Sequence, residues 1–147
     1  MKDKNKLLKN KTQFKDILEE NTINYKGKHE NTIKQCPKIY ELLCKLLDSE
    51  TIESKDKSQI SSAIAYFILP KDIFPEELFG AKGYIDDIYL SLYILKKIEQ
   101  KYEIEELLEN WNYDCKLLIN LLNKEYQMLN KEYNYILKDM LEYIGLK

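Results

Sequence analysis

Apolar side chains recur along this chain at steps of three and four residues, the signature of helices with one buried side. Between 31 and 48 they are Ile33, Cys36, Ile39, Tyr40, Leu42, Leu43, Leu46 and Leu47. Pro37 sits inside that run and suits a first turn, so the spacing predicts a helix that starts there. Residues 7–20 show a weaker version of the pattern, and 21–30, polar and containing Gly27, read as a loop. The next run begins near Ser54, with Ser54 or Asp56 as its cap, and stops at Pro70. Its second half, Ala63 to Leu69, has no polar side, which predicts a helix buried all round. Tyr84 to about Tyr102 repeats this character from Ile88 to Leu95.

The last third carries a stripe with heptad-like spacing: Leu107, Trp111, Cys115, Leu118, Leu122, Tyr126, Leu129, Tyr133, Ile136 and Met140. A break is expected at Asn112–Asp114, with Asp114 as cap, and Asn130 is a second candidate. No alternating β-branched pattern occurs, Val is absent and Thr is scarce. The expected fold is all-α, a compact bundle of five to six helices around a central hydrophobic hairpin. It forms one domain over 1–147: a basic, partly flexible arm over 1–30, the hairpin over 54–102, and amphipathic helices over 103–147.

Composition narrows the function classes. All 23 basic residues are Lys, balanced by 25 Asp and Glu. Without Arg the chain lacks the two-pronged donor that reads a guanine edge or supplies an arginine finger, so specific nucleic-acid recognition is not expected. Lys2, Lys4, Lys6, Lys9, Lys11 and Lys15 face only Asp3 in the first fifteen residues, a charge run suited to a solvated end or weak contact with an anionic membrane. No apolar leader follows Met1 and no run reaches the ~20 apolar residues of a spanning helix, so a cytoplasmic location is expected. Three cysteines without C-x-x-C spacing suggest neither disulfides nor zinc. His29, the one histidine, lies in a polar stretch with no partner for nucleophilic catalysis nearby in sequence.

The informative segment runs from Pro70 to Asp87. It holds two of the three prolines, two of the four glycines, and the carboxylates Asp72, Glu76, Glu77, Asp86 and Asp87. Each residue has a local role: Pro70 stops a helix, Asp72 caps a turn, and Pro75 opens a short turn with Glu76 and Glu77 at its positive end. Gly80 and Gly83 let the chain reverse, and Asp86 and Asp87 occupy the first turn of the next helix. Convergence is the competing reading. A hinge that folds back brings Asp72, Glu76, Asp86 and Asp87 together, and clustered carboxylates recruit a hard cation such as Mg²⁺ or Ca²⁺. Asp86 and Asp87 stand about 100° apart on a helix, so one of them at most points squarely into such a site and the other is a cap or surface charge.

This stretch resembles the YkvA-like domain of unknown function, a small helical domain common in bacteria and archaea. The shared pattern is a hydrophobic helix ending in Pro (Ala65 to Pro70), then Asp72, Pro75 and an acid at Glu76, then Gly83-Tyr84-Ile85-Asp86-Asp87 opening a second hydrophobic helix. It covers roughly residues 60–98. Many members have Asp at the position of Glu76, and another Pro where this chain reads Leu78-Phe79-Gly80. The resemblance implies the helical fold and the hairpin motif, and some relatives look membrane-associated; it implies no reaction. The sequence therefore points first to a non-enzymatic interaction or structural module, with Tyr113, Tyr126, Tyr133, Tyr135 and Tyr143 as interface material for an unknown partner or a homodimer through the C-terminal helices. A divalent-cation protein or metal-dependent hydrolase, and a peripheral membrane protein, are the alternatives.

Overall fold

The computed structural model describes residues 14–68 and 84–145, and among them every regular element is a helix. α1 covers 14–22, α2 Glu30–Ile33, α3 Cys36–Leu47, α4 Ser54–Ile68 and α5 Ile85–Glu109. The last helix, α6, runs from Cys115 to Tyr143 and contains one wide π turn, Leu121–Glu125. Among the described residues there are six helices, two of which form the hydrophobic hairpin, an all-α bundle as the periodicity leads one to expect.

α5 is the centre. From Ile85 to Leu95 every side chain is buried except half-buried Tyr93. α4 lies antiparallel to it, α3 covers α4 and α5, and α6 closes the other side. α4 departs from the expectation of burial all round: Ala63, Ile64, Tyr66 and Phe67 are buried, but Ala65 and Ile68 are exposed. The reason is position. α4 is an outer layer against α3 and α5, whereas α5 is packed on several sides. No helix among the described residues is long and apolar enough to cross a membrane.

The boundaries follow local chemistry. α3 starts at Cys36 with Pro37 in its first turn, as its sequence predicts. Asp114 caps α6, its carboxylate accepting from the Lys116 N–H at 2.9 Å. α4 does not use Asp56 as its cap: the Glu53 carbonyl takes the first helical N–H groups, and the Asp56 side chain turns toward α5. Asn130 does not break α6. Its side-chain oxygen instead accepts from the Tyr89 hydroxyl at 2.5 Å, joining α6 to α5. The break in α5 comes at Glu103, whose φ of 72° and ψ of 165° bend the chain just after Tyr102. A non-glycine residue there is strained, at a cost of about 1–3 kcal/mol.

The C-terminal stripe packs on the chain's own core at Leu118, Leu121, Leu122, Leu129, Tyr133, Ile136 and Met140. Cys115 is exposed, not a member of the buried face, because Trp111 ends its turn before Asp114 restarts the helix. Trp111 donates its indole N–H to the Asp114 carbonyl at 2.9 Å, fixing that turn.

Where α4 begins and α5 nears its bend, Asp56 accepts from Lys101 Nζ at 2.8 Å and from the Tyr102 hydroxyl at 2.5 Å. The same hydroxyl accepts from the Glu53 N–H at 3.0 Å. Burial works to raise the Asp56 carboxyl, but the Lys101 and Tyr102 hydrogen bonds outweigh it and hold it below its ordinary 3.8. A carboxyl lowered on folding stabilises the fold above its unfolded pKa and loses that contribution as pH falls through the folded value. Asp56→Asn is expected to cost about 1–2 kcal/mol at pH 7. Denaturant melts from pH 7 to pH 3 should show the gap between wild type and variant closing below about pH 4.

Candidate functional site

The residues singled out by the motif meet the structure unevenly. Pro70, Asp72, Pro75, Glu76, Gly80 and Gly83 lie outside the described residues. Tyr84, Asp86 and Asp87 lie within them, at the start of α5.

Tyr84 is buried, and its hydroxyl accepts from the Asn21 amide at 3.0 Å, tying α1 to the head of the hairpin. Asp86 is fully buried: one carboxylate oxygen accepts from the Tyr66 hydroxyl of α4 at 2.9 Å, and the other accepts from the Asp87 N–H at 3.0 Å. Asp87 is 1% exposed, so neither aspartate of the pair is a surface charge. The cause is the packing of α5, which leaves its first turn no solvent side. The Asp87 carbonyl accepts from Ser91 Oγ at 2.8 Å, one turn on. Both carboxylates sit at the positive end of α5, where the aligned peptide dipoles favour them.

Tyr66 gives this arrangement its second layer. Its ring meets the Tyr143 ring edge-on, with centroids 5.9 Å apart at 89°. The end of α6, the end of α4 and the start of α5 thus meet at one tyrosine. Sequence periodicity marks Tyr66 only as another apolar position; the signal in reach was a hydroxyl within a run otherwise lacking polar atoms, which must find a partner when buried.

Among the described residues no three His, Cys, Asp or Glu side chains converge as a cation site. Asp86 and Asp87 supply the right hard oxygen donors for Mg²⁺ or Ca²⁺, but completing such a set calls on Asp72 and Glu76. His29 lies elsewhere. Its side chain is buried, Nε2 is 2.9 Å from the Glu132 carboxylate, and Lys28 shares the same acid. Lys28 first, and His29 after it, hold the Glu132 carboxyl below the usual range against its partial burial.

The family described as "Protein of unknown function (DUF1232)" matches residues 56–93, the stretch from Asp56 through Tyr66 to Asp86 and Asp87. "Uncharacterized protein ORF9" of Methanothermobacter thermautotrophicus is 30% identical over 130 residues, covering 88% of each chain. This chain belongs to the same family as that protein. No solved structure matches it.

Tyr66→Phe removes one donor from a buried carboxylate while keeping the ring. It is expected to lower stability by about 1–3 kcal/mol, measured by urea denaturation at neutral pH. A loss below a few tenths would mean that the hydroxyl does not support Asp86.

Proposed function

We propose that this chain is a cytoplasmic, YkvA-like helical module that works by binding, with the outer side of α6 as its contact surface. One observation supports this reading above others. α6 commits its inner stripe to the core yet still exposes Met128 and Tyr135, 41% and 67% accessible, two turns apart on one face. Ile119 adds a third exposed apolar side chain nearer the start of the helix. Met and Tyr are residue types enriched in protein interfaces, and an α-helical face invites an isologous pairing with a second copy. The exposed tyrosines of α6 are Tyr135 and Tyr143; Tyr133 is buried and Tyr126 half-buried, both facing inward.

Multi-angle light scattering over a concentration series is the test. A mass rising toward twice 17.6 kDa, and returning to the monomer value in Tyr135→Lys and Met128→Lys, is expected. A mass that stays at one chain at every concentration removes self-association and leaves an unlike partner.

The fully buried pair Asp86 and Asp87 favours a second reading, a divalent-cation site completed by Asp72 and Glu76. Enclosing two carboxylates side by side is costly, and a cation offsets that cost. Mg²⁺ or Ca²⁺ at 100 times its Kd should then stabilise the fold by about 2.7 kcal/mol over EDTA. That gain should vanish in the Asp86→Asn/Asp87→Asn double variant. Equal melting of the wild type with EDTA and with each cation would leave the aspartates as structural groups.

A further inference from the structure

A pocket of about 330 Å³ lies where α3 and α5 both end, at the opposite end of α5 from Asp86 and Asp87. Its described lining is Lys45, Asp48, Ser49, Glu106, Glu109 and Asn110, with no apolar or aromatic side chain among them. Asp48 is the C-cap of α3 and Asn110 that of α5, so the partial negative charge of two helix ends adds to that of three acids. Lys45, in the last turn of α3, is the one base in the described lining, and it forms no ion pair with any of the three acids.

Glu106 makes the pocket more than a cluster of surface acids. It is 8% exposed, yet no cation pairs with it among the described residues. Its Oε1 accepts from the Ser49 hydroxyl at 2.5 Å, and that hydroxyl accepts in turn from the Thr51 N–H at 3.3 Å, which holds the carboxylate in place. Its Oε2 takes no hydrogen bond from the described residues, is not closed off from water, and belongs to a side chain that lines the pocket. An enclosed carboxylate without a counter-charge is costly, and a cation that donates to it offsets the cost. Asn110 adds an acceptor beside it: its amide nitrogen is spent on the Glu106 carbonyl at 2.9 Å, which leaves its amide oxygen without a donor among the described residues.

The occupant is thereby defined by its chemistry. It is a cation, and it carries N–H groups for Glu106 and Asn110. A quaternary ammonium has none, and the aromatic faces that recognise such an ion are missing from the described lining. A bare metal ion fits poorly, because among the described residues no three acids converge on one point. Acids spread around a pocket match several positive groups spread along one molecule. The surroundings favour such a ligand too: segments 48–56 and 99–109 carry nine acidic residues and two lysines, a field that concentrates multivalent cations. We propose that this pocket binds a small aliphatic polyamine. One protonated nitrogen donates to Glu106 and Asn110, and a second is held by the more exposed Asp48 and Glu109.

The test is an amide NMR titration of the full chain near neutral pH and at low salt. The probes are spermidine, putrescine, the quaternary analogue of putrescine with every nitrogen fully methylated, and Mg²⁺, all at matched ionic strength. Saturable shifts at Ser49, Glu106 and Asn110 are expected for both amines, with spermidine about tenfold tighter than putrescine and the quaternary analogue about tenfold weaker than putrescine. Glu106→Gln should weaken spermidine about tenfold. Glu105→Gln, which removes the same charge from an exposed position of α5 outside the described lining, should leave the affinity within about twofold. Asp48→Asn, also expected to weaken spermidine, gives a second reading if Glu106→Gln folds poorly. Shifts that do not saturate, equal binding of putrescine and its quaternary analogue, equal effects of Glu105→Gln and Glu106→Gln, or saturation by Mg²⁺ as tight as by spermidine would overturn the proposal.

Discussion

A helix whose first eleven residues have no solvent side has to be surrounded, and that requirement organises this molecule. α5 cannot exist between Ile85 and Leu95 unless α4, α3 and α6 are already against it. The outer helices can each keep one polar side because they cover only part of α5. Helical propensity has little to do with it: an apolar segment of this kind draws its stability from burial, about 25 cal/mol for each Å² of apolar surface removed from water. The most deeply buried acids among the described residues, Asp86 and Asp87, enter where the dipole of α5 helps to hold them.

Apolar packing fixes proximity but tolerates sliding, so a hairpin of two greasy helices needs something directional to set its register. Here hydrogen bonds to aspartates stand at both ends: Asp56 with Lys101 and Tyr102 at one, Asp86 with Tyr66 at the other. The family match begins at the first of these aspartates and encloses the second. The likeness to the Methanothermobacter protein runs over 130 residues, well beyond that stretch, and so takes in helices that wrap the hairpin.

Much of this was legible in the residues. Pro37 and Asp114 each announce a boundary through a local rule about donors and caps. Periodicity separates buried from exposed along α3 and most of α6. What stayed hidden depends on neighbours far away in sequence. Nothing local marks Glu103 as left-handed, since no glycine or asparagine stands there. Asp56 reads as a cap because capping is local, while its partners lie 45 and 46 residues on. Tyr66 and Asp86 each look self-sufficient until the fold puts them 2.9 Å apart. The π turn at Leu121–Glu125 leaves no trace in the pattern because leucines at two successive positions let the stripe continue through it. As for the motif's acids, sequence could name the carboxylates but not say that Asp87 would be as deeply enclosed as Asp86.

The polar contacts share a composition that follows from a chain with no Arg. Glu41 receives Lys15 together with the Tyr113 hydroxyl at 3.0 Å, and Asp56 receives Lys101 together with the Tyr102 hydroxyl. A lysine grips a carboxylate at one point and can swivel; a phenol beside it supplies the second prong that a guanidinium would otherwise provide. The substitution changes what the grip responds to. Half of each pair is a charge, weakened by salt, and half is a neutral donor, which salt leaves alone. These contacts should therefore loosen in brine without letting go, which is a different kind of robustness from that of an arginine clamp.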